Sequence, residues 1–137
     1  MSDRETPQTA KILLVDDDYD FRLQNRLQLE AEGYSVVESE SEAAAREFLE
    51  REQPDLVVVD LMLEEEDSGF GLCYFIKKHW PNLPIIIVTG VAAKVRIEFE
   101  AATAEERAWI KADTLMAKPV RFEQLLAEIE RLLAQKT

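Results

Sequence analysis

Leu56-Val57-Val58-Val59-Asp60 is an apolar run that stops on a carboxylate. Three other stretches share this build: Ile12-Leu13-Leu14-Val15 runs into Asp16-Asp17, Ile85-Ile86-Ile87-Val88 into Thr89, and Leu115-Met116-Ala117 into Lys118-Pro119. Short continuous apolar runs, as opposed to alternating patterns, read as strands covered on both faces, which is the setting of a parallel sheet. A weaker candidate at residues 34–38, YSVVE, reads as an edge strand.

Helix-periodic segments fill the gaps between the strand candidates at 11–15, 34–38, 55–60, 84–89 and 115–117. The first, at 19–32, puts Phe21, Leu23, Leu27 and Leu29 on an apolar face and ends at Gly33, a C-terminal cap. The second, at 41–53, starts from a Ser41 cap, carries Ala44, Ala45, Phe48 and Leu49, and is closed by Pro54. The third, at 69–80, presents Leu72, Phe75, Ile76 and His79 and stops before Pro81. A fourth falls within 92–111, and the last covers 122–135 with Leu125, Leu126, Ile129, Leu132 and Leu133. Strands alternating with helices in this way predict a doubly wound, three-layer α/β/α fold with right-handed crossovers. A flavodoxin-like strand order, 2-1-3-4-5, with five helices is the expectation, and it puts the reversal of strand order between the first and third strands.

At 137 residues the chain is one domain. A net charge of −12 argues against nucleic acid as a partner, because a phosphate backbone demands clustered Lys and Arg. The one cysteine, Cys73, cannot form an internal disulfide and lies in an apolar helical stretch, so it reads as a packed core thiol. No apolar run is long enough to span a membrane, and the polar first ten residues lack the apolar stretch of a secretion signal. The expectations are a cytoplasmic protein, a disordered tail at 1–10, a folded domain at 11–136 and no output domain.

In open α/β sheets ligands bind outside the carboxyl ends of the strands. Asp16-Asp17 and Asp60 therefore meet at the reversal point, where clustered carboxylates repel and a cation relieves them. Mg²⁺ takes oxygen ligands and contacts phosphates; a carboxylate can itself accept a phosphoryl group; Lys118 and Thr89 would bind phosphoryl oxygens. Each piece has a plainer alternative. Asp16–Asp18 would cap the first helix, Thr89-Gly90 would form a turn, and Lys118 would be a surface lysine with a packed stem. Their joint occurrence at successive strand ends favours the site.

On these residues the chain resembles the receiver domains of two-component response regulators, over about residues 11–134. The acidic pair after the opening strand, Asp60 in VVVDLML, Thr89 in IIIVTG and Lys118-Pro119 carry the likeness. The resemblance implies that Asp60 is the phosphoacceptor, that Thr89 and Lys118 assist it, and that Lys118–Pro119 is cis. It implies Mg²⁺ held by Asp17, Asp60 and the main-chain carbonyl of Met62, with Asp16 assisting through water. It also implies a sensor histidine kinase or histidine phosphotransfer protein as donor, and a downstream target protein. The target would bind the surface of the fourth helix, fifth strand and fifth helix, through which the chain would be a monomer or weak dimer.

The chain departs from the family pattern in several places. Leu115 replaces the usual aromatic switch residue, so the likeness implies a Thr-driven loop shift without an aromatic read-out. Glu64-Glu65-Glu66 follow the phosphoacceptor, and the segment 91–111, including Trp109-Ile110, is longer than usual. Met62 and Val91, each two residues past a site residue, are apolar and cannot orient an attacking water, which implies slow self-dephosphorylation. Rival readings are an Mg²⁺-dependent phosphohydrolase with Asp60 as nucleophile, and a scaffold that is never phosphorylated. The lone His79 reads as structural and not as a phosphodonor.

Overall fold

The computed structural model describes residues 10–60, 68–90 and 113–135. Five strands form as the apolar runs predict: β1 (Lys11–Val15), β2 (Ser35–Ser39), β3 (Leu56–Val59), β4 (Ile85–Thr89) and β5 (Thr114–Ala117). All neighbouring pairs are parallel, in the order β2-β1-β3-β4-β5. β1 and β3 are thus adjacent in the sheet although a helix, an edge strand and a second helix separate them along the chain. β2 is an edge, and its half-exposed pattern matches its weaker sequence signal.

Every residue of β3 and β4 is buried, and the two sides of each strand feed different cores. Leu13, Val15, Val57, Val59, Ile85 and Ile87 point to one side, against α2 (Glu42–Arg51) and α3 (Ser68–His79). Ile12, Leu14, Leu56, Val58, Ile86 and Val88 point to the other, against α1 (Tyr19–Ala31) and α4 (Phe122–Gln135). The three-layer α/β/α architecture follows. Four helices lie among the described residues; the helix expected within 92–111 lies outside them.

Local sequence sets the helix ends. Asp18 caps α1, its carboxylate accepting from the main-chain N–H groups of Asp20 and Phe21. Beyond its last turn Gly33 takes φ 101°, Gly33 N–H donates to the Glu30 carbonyl, and Tyr34 N–H donates to the Leu29 carbonyl. That pair of bonds with the Leu29–Tyr34 apolar contact is a Schellman ending, which needs a left-handed residue where Gly33 stands. Ser41 caps α2 through Ala44 N–H, as expected.

Two helix faces differ from the sequence expectation. In α1 the buried residues are Arg22, Asn25 and Leu29, while Leu27 is 53% exposed. Leu27 lies nearly opposite that stripe at 100° per residue, and the buried polar groups have partners; Asn25, for one, donates to the Phe21 carbonyl at 2.8 Å. In α3 the face is Leu72, Cys73 and Ile76, and His79 is exposed. The Cys73 thiol is fully buried, and burial pushes its pKa up to about 12. It is therefore a packing group with no thiolate at neutral pH.

Two substitutions separate backbone from packing effects. Gly33→Ala forces a Cβ into the left-handed region and should cost about 1–2 kcal/mol. Ile87→Ala empties part of the core and should cost about 2–5 kcal/mol. Urea titration of both variants checks the ranking.

Candidate functional site

The ladder hydrogen bonds continue one residue past three strands, and each of these residues is polar. Asp16 N–H donates to the Ser39 carbonyl at 3.1 Å, Asp60 N–H to the Val15 carbonyl at 3.0 Å, and Lys118 N–H to the Thr89 carbonyl at 3.0 Å. The main chains of Asp16, Asp60 and Lys118 are thus held in register at one edge of the sheet. Thr89, the last residue of β4, is fully buried between them in strand order.

Their side chains converge. Lys118 Nζ lies 2.7 Å from Asp16 Oδ2 and 3.2 Å from Asp60 Oδ2. Asp16 Oδ1 accepts the Asp18 N–H at 2.9 Å, so both oxygens of this buried carboxylate have donors. Asp16, Asp17 and Asp60 each offer a carboxylate oxygen within 4.8 Å of the others; Asp16 and Asp60 are buried, and Asp17 is exposed. Three hard oxygen donors open to water on one side fit a small divalent cation such as Mg²⁺.

Burial raises the Asp16 pKa above the ordinary carboxylate value, and the charge of Asp60 adds to the rise. The Lys118 hydrogen bond and the Asp18 N–H oppose the rise without cancelling it. Burial alone would lower the Lys118 pKa, but the Asp16 hydrogen bond and the charges of Asp16 and Asp60 outweigh it and hold the ammonium above its ordinary range. Lys118 is therefore cationic throughout the neutral range.

The Lys118–Pro119 peptide is cis. Leu115 is half-buried and packs against the core on the α2 and α3 side, paired in register with Ile87. Met62, Glu64-Glu65-Glu66, Val91 and Trp109-Ile110 lie outside the described residues. Sequence reading missed two neighbours of the site. The Phe21 ring lies 4.3 Å from Lys118 Nζ, a cation–π contact that holds the ammonium from below. Arg22 is buried with its guanidinium on the Asp16 carbonyl. An aromatic and an arginine four and five residues after Asp17, one turn into a helix that starts at the site, were the available signal. A cleft of about 390 Å³ beside them, lined by Asp18, Phe21, Asn25, Lys118 and Pro119, leaves the ammonium reachable from solvent.

Removing the ammonium tests this electrostatic frame. Lys118→Met strands two buried carboxylates, so it should destabilise the protein by about 1–3 kcal/mol near neutral pH, less than a fully buried pair because Lys118 is 21% exposed. The sign with pH follows. Asp16, with a folded pKa raised above its unfolded value, destabilises the fold increasingly as pH climbs from the unfolded to the folded value. Without Lys118 that penalty grows, so the gap between variant and wild type should close as pH falls into the carboxylate range. Urea midpoints from about pH 8 to about pH 4 measure it.

The model of the family described as response regulator receiver domain matches residues 12–130. The transcriptional regulatory protein GlrR of Escherichia coli K12 is 37% identical over 126 residues, which are 92% of this chain and 27% of that protein. The response regulator MprA of Mycobacterium leprae is 33% identical over 123 residues, 90% of this chain and 50% of that protein. The chain thus spans from about a quarter to half the length of these relatives. Among solved structures, a CheY-like response regulator receiver domain protein from Methanospirillum hungatei JF-1 superposes with a TM-score of 0.78 at 27% identity, covering 93% of this chain and 96% of that one. Sheet order, match and relatives agree: the chain belongs to the response regulator receiver domains of two-component systems.

Proposed function

We propose that this chain is a phosphorylation-dependent switch that accepts a phosphoryl group on Asp60. The observation that carries this reading is the convergence of Asp16, Asp17 and Asp60 with the Lys118 ammonium at the carboxyl ends of β1, β3 and β5. The donor is a phosphohistidine on a sensor kinase or phosphotransfer protein. A carboxylate oxygen of Asp60 attacks phosphorus, the new O–P bond forms as the P–N bond breaks, and the ring, protonated on its other nitrogen, leaves with that electron pair as neutral imidazole. No net redox change or water is needed.

Asp17, Asp60 and the main-chain carbonyl of Met62 would hold Mg²⁺, with Asp16 acting through water. The ion, when bound, offsets the negative charge that gathers as carboxylate and phosphoryl oxygens meet. Lys118, already between Asp16 and Asp60, is in reach to pair with a phosphoryl oxygen on Asp60. The Thr89 hydroxyl would bond another and draw its loop inward. Leu115, packed against the core beside Ile87, would repack without the hydroxyl or area of an aromatic ring. The change would leave by the surface of β5, α4 and the helix expected within 92–111, to a separate target protein. Met62 and Val91 would leave water unoriented and make the chain's own hydrolysis of its aspartyl phosphate slow.

Incubation with Mg²⁺ and acetyl phosphate, followed by intact mass measurement, tests the proposal. Wild type should carry one phosphoryl adduct; Asp60→Asn, or wild type with the metal chelated, should carry none. Phosphate release without an adduct would make the protein a phosphohydrolase. Absence of both the adduct and Mg²⁺ binding would make it a scaffold. Once the adduct is formed, Met62→Asn should shorten its lifetime, read as loss of adduct mass with time.

A further inference from the structure

Burying a guanidinium is costly unless its donors are matched, so a buried arginine in the first turns of α1 calls for a reason. Tyr19 and Asp20, on the same turn as Arg22, are exposed, whereas Arg22 is buried. Its Nη1 donates to the main-chain carbonyl of Asp16 at 2.7 Å, a bond that is itself buried. Its Nε donates to Glu38 Oε1 at 3.0 Å, on the edge strand β2. The second oxygen of Glu38 is taken by Arg26 Nε, one turn further along α1. Glu38 therefore anchors two arginines, one on each oxygen, and Arg22 alone of the two reaches on to the acidic pair.

The carbonyl that Arg22 grips belongs to the peptide linking Asp16 to Asp17. Around it Asp16 is held at every other polar point: its N–H by Ser39, one carboxylate oxygen by Asp18 N–H and the other by Lys118. Asp17 is exposed, yet its carboxylate offers an oxygen within 4.8 Å of those of Asp16 and Asp60, and that peptide is its link to the fixed Asp16. We propose that Arg22 is a positioning residue for the cation site, fixing the Asp16–Asp17 peptide plane so that the Asp17 carboxylate faces Asp60. This rests on the reading of Asp16, Asp17 and Asp60 as an Mg²⁺ site.

Charge and geometry predict opposite signs here. If Arg22 mattered to the site through its positive charge alone, removing it would tighten cation binding, because like charges repel. If it acts as a clamp, removing it loosens binding, by about tenfold or more when a group that orients a metal ligand is lost. Arg26 supplies the control. It lies on the same helix, carries the same charge and shares Glu38, but donates to Glu38 and Glu30 instead of Asp16.

Calorimetric titration of Mg²⁺ into the unphosphorylated protein, alongside urea unfolding without the ion, tests the proposal. Arg22→Ala should weaken Mg²⁺ binding at least about tenfold, and Arg26→Ala should leave it within about twofold. Arg22→Lys, which keeps the charge but not the two-point reach, should also weaken it. If Arg22→Ala is folded and binds Mg²⁺ as well as or better than wild type, the clamp is refuted and Arg22 is structural, whatever its urea midpoint. Should Arg22→Ala fail to fold, Arg22→Lys decides by the same comparison. Wild type that takes up no Mg²⁺ would overturn the cation site itself, and the clamp with it; wild type that binds beside an unaffected Arg22 variant overturns the clamp alone.

Discussion

One ammonium group ties together residues that the chain separates by 58 and 102 positions. Lys118 brings the end of β5 to the ends of β1 and β3 and stands between two carboxylates that water scarcely reaches. Without it, their mutual repulsion and lost hydration would work against the fold, since a buried carboxylate that loses its partner is left unpaired in a poorly solvated place. With it, the account is still incomplete. Three carboxylates face one ammonium, so two negative charges remain when all are ionised, and a divalent cation is the complement of that remainder. The strain on the fold and the fit of the site to a divalent cation thus have one electrostatic origin.

Precision in the site comes from the main chain. Parallel pairing runs one residue beyond the apolar runs, so Asp16, Asp60 and Lys118 inherit the register of the sheet without needing loops to place them. A shift of one residue in any strand would turn its functional group to the other face. The buried apolar positions of β1, β3 and β4 forbid that shift, because it would exchange the residues committed to the two cores. Packing far from the carboxylates therefore sets their spacing.

The strands were legible because buried parallel strands write themselves as unbroken apolar runs, and boundaries moved by only a residue or two; their order rested on the alternation of strands with helices and the doubly wound fold it implies. The edge strand was weaker in the sequence for the reason that it is weaker in the sheet. α1 was misread in part. A hydrophobicity pattern counts Leu27 as core and Arg22 as surface, but burial of Arg22 depends on the Asp16 carbonyl and Glu38, partners that only the folded chain assembles. The carboxylates, the threonine and the lysine could be read from their places at strand ends. The Phe21 ring left only a weaker signal, its place one turn into the helix that starts at the site, because its contact with Lys118 depends on the approach of the β5 end to α1.

The division of each central strand between two cores has a consequence for how the protein can vary. Ile86 and Ile87 are neighbours in sequence, yet one meets α1 and α4 while the other meets α2 and α3. Energetic coupling follows contact and not sequence distance. Each side of the sheet is accordingly a separate unit of compensation: a lost methyl group at Ile87 can be made good from Cys73 or Leu72, but not from Ile129 across the sheet. Lineages could remodel the α2–α3 layer while the α1–α4 layer, which carries Phe21 and Arg22 beside the carboxylates, stays as it is.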